Sequence, residues 1–246
     1  MKKVFYIWRF ALLAALSISV IMPSAWAYAQ VSSGAGLEQS PIDIRKQDLT
    51  FVEHLPQLGF SYGTKVALDL INTGSPGEFA TVRANVQAGD GELCIGGATY
   101  KLLQFHWHTP GEHLRQGHSF PIEMHLVHQA ADGSLAVVGV WIMPGREHTE
   151  LAKIFANLPT ASGEHRAVNR FNLTTLLPQN LESYRYMGSL TTPNFDEGVR
   201  WNVLAKPIEM SPQQIAAFKA IFPEGNSREV QPLNGRAILT DVELDD

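Results

Sequence analysis

Among 246 residues there is a single cysteine, Cys94, so no disulfide can close within the chain. The neighbouring sequence offers no cation to lower a thiol pKa, and Cys94 is read as a small buried apolar residue of a strand. Long apolar runs are missing too. Phe10 to Met22, which follows Lys2, Lys3 and Arg9, falls well short of the roughly 20 residues a membrane-spanning helix needs. With Ala25, Trp26 and Ala27 behind it, the run reads as a secretory leader cleaved after Ala27. Residues 28–246 are then the mature chain, exported to the periplasm or secreted, with no stable membrane span. Basic residues are the minority, 19 against 24 acidic, for a formal charge of −5, and loss of the leader's three basic residues moves it to −8. So acidic a chain is a poor partner for nucleic acid. Internal repeats and low-complexity tracts are also absent, which points to one domain over 28–246, large enough to bury a core without staples.

What the chain does have is β pattern. VALDLIN, EFATVRANV, TYKLLQFHWH, IEMHLVHQA, SLAVVGVWI and RWNVLAKPIEM alternate with Gly, Pro and Asp breaks, the signature of strands. Asp132-Gly133 between two such runs predicts a tight hairpin that sets the His125 strand beside the Val137 strand. Two stretches read as helices: 149–158, with apolar residues at 151, 154, 155 and 158, and a segment after Ser211-Pro212-Gln213-Gln214, which carries a capping signature. The expected fold is mainly β (α+β), with small peripheral helices around the strands.

Six of the nine histidines fall between Phe105 and His128. Alternation along a strand puts Gln104, His106 and His108 on one face and groups Glu123, His125 and Val127 on one face of the next strand. Three neutral imidazoles suit zinc, and three protein ligands leave a fourth tetrahedral position open, as in catalytic rather than structural sites. Gln104 and Glu123 each stand two residues before a histidine, placed to accept its second ring N–H. His128 falls on the face opposite His125, and His118, beside Gly117, reads as a loop residue. These two and His113 read as hydrogen-bonded or surface histidines rather than ligands.

Taken together, QFHWHTPGEH at 104–113, IEMHLVH at 122–128, QSPIDI at 39–44 and GSLTTP at 188–193 resemble the signature segments of α-class carbonic anhydrases, in the family's order, over about Gln39 to Arg236. The resemblance implies a large twisted, mostly antiparallel sheet of about ten strands. It implies reversible hydration of carbon dioxide to bicarbonate by a zinc-bound hydroxide, with His106, His108 and His125 as Zn2+ ligands and Gln104, Glu123 and Asn226 orienting them. Thr191 would accept a hydrogen bond from the hydroxide and donate its own proton to an ionised Glu112. Thr192 would hold bicarbonate, while Val127, Val137, Leu190 and Trp201 would form the apolar wall for carbon dioxide. By alternation alone those four are ordinary core. Two other readings suit a three-histidine β scaffold: a carbonic-anhydrase-like zinc-binding module with weak or no catalysis, and another metalloenzyme such as a cupin-type oxygenase, which a carboxylate ligand would favour. Assembly into oligomers is left open.

The chain departs from the family at several points. The usual amino-terminal stretch with tryptophan and tyrosine ahead of QSPI is missing. Ser33 and Phe195 stand where exported members often have a disulfide. Gly111 replaces a common serine, and Ser75 stands where fast members have a proton-shuttle histidine, with Thr73 and Glu78 also altered. A serine hydroxyl cannot ferry protons near neutral pH as imidazole can. Proton transfer is therefore expected to limit turnover, unless His54, His118 or His148 supplies another route.

Overall fold

A computed structural model describes residues 36–74 and 79–243. The expected leader and its cleavage point, Ser33, Ser75 and Glu78 lie outside the described residues. Ten strands follow one another across the main sheet. From one edge these are β11 (His165–Phe171), β4 (Val66–Asn72), β5 (Val82–Val86), β7 (Ala98–His108), β9 (Ile122–Ala130), β10 (Leu135–Pro144), β13 (Glu197–Met210), β12 (Ser183–Ser189), β14 (Ile238–Thr240) and β2 (Leu49–Phe51). Off this path, β3 (Leu58–Tyr62) pairs with β6 (Gly91–Ile95), and β6 with β7. A separate two-stranded ribbon joins β1 (Asp43–Ile44) to β8 (Leu114–Arg115). Within the large sheet only β10 with β13 and β14 with β2 run parallel. This agrees with the expected mainly antiparallel sheet.

Alternation along the strands sorts the sheet's residues onto two faces. Phe105 and Trp107 of β7, Met124 and Leu126 of β9, and Val138 and Val140 of β10 turn into the larger apolar core. Helices α1 (Thr149–Phe155) and α2 (Pro212–Ile221) cover that core, contributing Leu151, Ile154, Ile215 and Phe218. The opposite face carries a smaller apolar cluster with Val127, Val137, Tyr186 and Trp201. β9 and β10 form the expected hairpin, with Leu135 opposite Gln129 and Val137 opposite Val127.

Both helices form where the sequence places them. α2 begins at a complete capping box: Ser211 Oγ accepts from Gln214 N, and the Gln214 side chain accepts from Ser211 N. α1 stops at Phe155, three residues before the expected end, and the partly buried Leu158 packs on the core from outside the helix.

Cys94 is a correction. It lies in β6 as expected, yet it is exposed, because Gly91, Leu93 and Ile95 occupy the inward positions and parity sends Glu92 and Cys94 outward.

His128 is buried in the main core, on the face away from His125. Its Nδ1 donates to the Ala136 carbonyl at 3.3 Å, and its Nε2 lies 2.7 Å from Tyr62 Oη. Burial, partly offset by backbone carbonyls, pushes its pKa down to about 4. The unfolded chain takes up this proton below about pH 6.5, the folded chain only near pH 4. His128 therefore supports stability above pH 6.5 and withdraws that support as pH falls, by about 3 kcal/mol once both forms are protonated. Urea unfolding over this window should show a shallower pH slope for His128→Gln than for wild type. Equal slopes would contradict the buried neutral state.

Candidate metal centre and its cavity

Register brings the histidines together. In the β7–β9 ladder His106 pairs with His125 and His108 with Glu123, so all three imidazoles share one face over two adjacent strands. Their ring centroids are 4.7 to 5.4 Å apart, and one nitrogen from each can be chosen so that all lie within 4.8 Å of one another. A metal ion would bridge such a gap.

Hydrogen bonds decide which nitrogens are free. His106 Nδ1 meets Gln104 Oε1 at 2.8 Å, His108 Nδ1 meets the Asn226 carbonyl at 3.0 Å, and His125 Nε2 meets Glu123 Oε1 at 2.9 Å. Each partner is an acceptor, so each of these nitrogens carries the proton and the other keeps its lone pair. The lone pairs sit on Nε2 of His106, Nε2 of His108 and Nδ1 of His125. His108 Nε2 is buried with no hydrogen-bond partner, which is costly unless a ligand occupies that direction. Asn226 also fixes the strand end, its side chain accepting from Thr109 N at 2.7 Å and donating to the Ala80 and Trp107 carbonyls.

Burial first, then the neighbouring histidines, holds His106 well below the ordinary imidazole value, and burial likewise lowers His108. Both are neutral donors near pH 7. For His125 burial acts downward, but Glu123 and Glu112 outweigh it and raise the pKa, which favours the N–H that faces Glu123. Burial would raise Glu123, yet His113 and His125 keep its carboxyl far below the usual carboxylate range. It is an anion locked in the sheet.

His113 is the residue whose importance the sequence reading missed. It is fully buried, its Nδ1 and backbone N–H both 2.7 Å from the Glu123 carboxylate, and its Nε2 is 2.7 Å from Tyr186 Oη. Tyr186 Oη continues to Ser40 Oγ at 2.8 Å. His113, Glu123 and His125 also lie close enough to be taken for a second metal trio. Both His113 nitrogens and the His125 nitrogen facing Glu123 are already in hydrogen bonds, so this trio is a proton-sharing chain and lacks the open lone pairs of a carboxylate-bearing metal site.

Two glycines make room for the chain. A Cβ on Gly188 would collide with Ser40 Oγ. Gly139, opposite His125 in the ladder, lies under Glu123, and a Cβ there would stand 3.1 Å from Glu123 Oε1.

Above the histidines opens a cavity of about 420 Å³ lined by His106, His125, Val127, Val137, Leu190, Thr191, Thr192 and Trp201, with Gln104, Arg83 and Phe79 among the rest. The four expected apolar residues and both threonines meet here. Pairing of Val127 with Val137, and of Val137 with Trp201, lays three of the four in one row across β9, β10 and β13. Glu112 lies behind the histidines, its Oε1 accepting from Arg228 N at 2.8 Å and its Oε2 buried without a hydrogen bond, 3.8 Å from His125 Nδ1. His54, His118 and His148 do not line the cavity. His54 and His118 are exposed, and His148 caps α1 and reaches the Thr175 carbonyl. Phe195 packs edge-on to Phe79 and under the Arg228 guanidinium.

The family model for eukaryotic-type carbonic anhydrases matches residues 22–242. The chain belongs to the carbonic anhydrase family. It is 39% identical over 206 residues to a carbonic anhydrase of Pectobacterium carotovorum, covering 83% of this chain and 80% of that one. A Nostoc carbonic anhydrase is 38% identical over 207 residues, with 83% and 76% covered. Among solved structures, the α-carbonic anhydrase of Thermovibrio ammonificans in complex with the inhibitor sulfanilamide superposes with a TM-score of 0.77 at 37% identity, covering 83% of this chain and 87% of that one.

Within this carbonic anhydrase fold, Glu123 Oε1 cannot give way to a new methyl group, because His113 and His125 both hold it. Gly139→Ala is therefore expected to cost about 1–3 kcal/mol by overpacking, read as a lower melting temperature. An unchanged melting temperature would show that the carboxylate is free to move.

Proposed function

We propose that this protein is an exported zinc enzyme that interconverts carbon dioxide and bicarbonate. The observation that carries the reading is the set of three lone pairs, two Nε2 and one Nδ1, left free around one point because every other ring nitrogen is claimed by an acceptor. Neutral nitrogen donors of this kind suit Zn2+, so His106, His108 and His125 would hold it. When bound, zinc supplies a Lewis acid that lowers the pKa of a water molecule, a property established for carbonic anhydrases in general. The rest is the work of the chain. Gln104, the Asn226 carbonyl and Glu123 fix the tautomers of the three imidazoles and keep them from turning. Val127, Val137, Leu190 and Trp201 offer an apolar wall that suits a small nonpolar gas and keeps competing water away.

Thr191 and Glu112 would set direction. Glu112 Oε2 has no hydrogen-bond partner among the described residues, and a buried carboxylate oxygen without a donor is expensive. The Thr191 hydroxyl donating to it would remove that penalty and turn the Thr191 oxygen lone pair toward the reacting oxygen, which must then donate a proton to be accepted. Thr192 lies beside it to hold bicarbonate. The leader ending at Ala27 is the basis for placing the enzyme outside the cytoplasm, with residues 28–246 as one catalytic domain. No helix among the described residues is long and apolar enough to cross a membrane.

Stopped-flow carbon dioxide hydration on the zinc-loaded protein tests the reading, with His108→Ala as its control. Wild type should bind one zinc per chain and hydrate carbon dioxide, whereas the variant should lose most of the metal and essentially all activity. Full zinc retention in the variant would remove His108 from the ligand set. Wild type that holds zinc without activity would make the protein a binding module.

Proton removal is the expected bottleneck. No imidazole besides His106 and His125 lines the cavity among the described residues, and the Thr73 hydroxyl is taken up by Thr81, donating to its carbonyl and accepting from its N–H. The kcat should rise with added imidazole buffer while kcat/KM stays nearly constant, and Ser75→His should raise kcat in weak buffer. A high kcat indifferent to buffer would mean that another group moves the proton.

A further inference from the structure

One charged side chain lines the cavity that the reaction does not use. On β5 the inward positions belong to Val82 and Ala84, both fully buried, so parity turns Arg83 to the cavity side. There it pairs with His106 across the β5–β7 ladder and lines the same cavity as His125, Thr191 and Thr192. Apart from the histidines it is the only ionisable residue in that lining among the described residues. It makes no ion pair or hydrogen bond with a described residue, and its Nε is buried with no partner. Asp69, the acid on the adjacent strand, attracts Arg83 through space but takes its hydrogen bonds from His165 Nδ1 at 2.9 Å and Asn85 Nδ2 at 3.2 Å.

A guanidinium is a permanent cation with donors arranged to grip a carboxylate-like group on two sides. Offset only at a distance by Asp69, and beside low-dielectric walls, it gives the cavity a local positive potential. Overall the chain is acidic, at −5, so this potential runs against the field of the rest of the molecule.

We propose that Arg83 is an anion-binding residue of the active-site cavity, which holds bicarbonate or another small monovalent anion by its guanidinium beside the histidine cluster. The assignment of bicarbonate rests on the carbonic anhydrase reading; the anion affinity itself does not. Carbon dioxide, being uncharged, gains nothing from this contact. Arg83 thus separates the two directions of the reaction: it favours the bound state of the anion and leaves entry of the gas alone. Because the overall equilibrium constant is fixed, a rise in KM for bicarbonate at constant KM for carbon dioxide must be matched by a proportional rise in the ratio of dehydration to hydration kcat.

Calorimetric titration of thiocyanate into the zinc-loaded protein tests the proposal without relying on turnover. Arg83→Gln should weaken the dissociation constant about three- to tenfold, the scale of one lost charge-assisted contact. Arg83→Lys, which keeps the charge but not the fork, should fall between Gln and wild type. Zinc content and melting temperature report whether each variant is intact, and Arg83→Lys keeps the test open if the glutamine variant fails to fold. In stopped flow, KM for bicarbonate should rise in Arg83→Gln relative to KM for carbon dioxide. Thiocyanate affinity within twofold of wild type in Arg83→Gln would overturn the proposal, as would Lys and Gln variants that cannot be told apart. A wild-type protein that hydrates no carbon dioxide would instead defeat the functional reading, and the difference in thiocyanate affinity would still be measurable.

Discussion

The site depends on a carboxylate buried where water cannot reach it. An ion in a protein interior loses several kcal/mol of hydration, and Glu123 recovers this only through three close donors: the His113 backbone N–H, His113 Nδ1 and His125 Nε2. The same contacts decide which side of the His125 ring is left with a lone pair. They also explain the buried run from His113 to Tyr186 and Ser40, since a carboxylate fixed on both oxygens needs partners that are themselves fixed. Orientation of one candidate ligand is thus passed back through the sheet to the segment around Ser40.

Strand register does the remainder. Antiparallel pairing sets His106 opposite His125, and parallel pairing of β10 with β13 carries the row onward from Val137 to Trp201. A slip of one residue in β9 would send His125 into the apolar core and bring His128 to the cavity. The identities on the two faces oppose that slip: Met124, Leu126 and His128 are buried on the core side, where His128 has a specific partner in Tyr62. The register that buries Met124 and Leu126 in the apolar core is also the one that assembles the histidines.

Much of this was legible in the sequence because it follows from alternation. β4 and β9 begin and end where their residue patterns do, and the shared face of His106, His108 and His125 needed only parity. The capping box named the start of α2. Where reading failed, the signal was non-local or was not applied. Cys94 could have been turned outward by the same parity, since Leu93 and Ile95 flank it. Arg83 could have been found in the same way, between Val82 and Ala84. His113 could not, because it follows a bend outside any strand and its position comes from Glu123, ten residues on. β12, SYRYMGS, is buried on both faces and shows no alternation, with Arg185 satisfied inside by Ser183, Pro56 and Asp241. The roles proposed for Thr191, Thr192 and the apolar wall rest on the resemblance, since geometry alone leaves them open.

The central claim is that hydrogen bonds behind the rings select the metal-facing nitrogens. A crystal structure of the zinc-soaked protein tests it directly. The account predicts one Zn2+ about 2.0–2.1 Å from each of three nitrogens, Nε2 of His106, Nε2 of His108 and Nδ1 of His125, with the Glu123 bridge between His113 and His125 intact. Zinc bound between His113, Glu123 and His125, or held through Nε2 of His125 with the Glu123 contact broken, would contradict it.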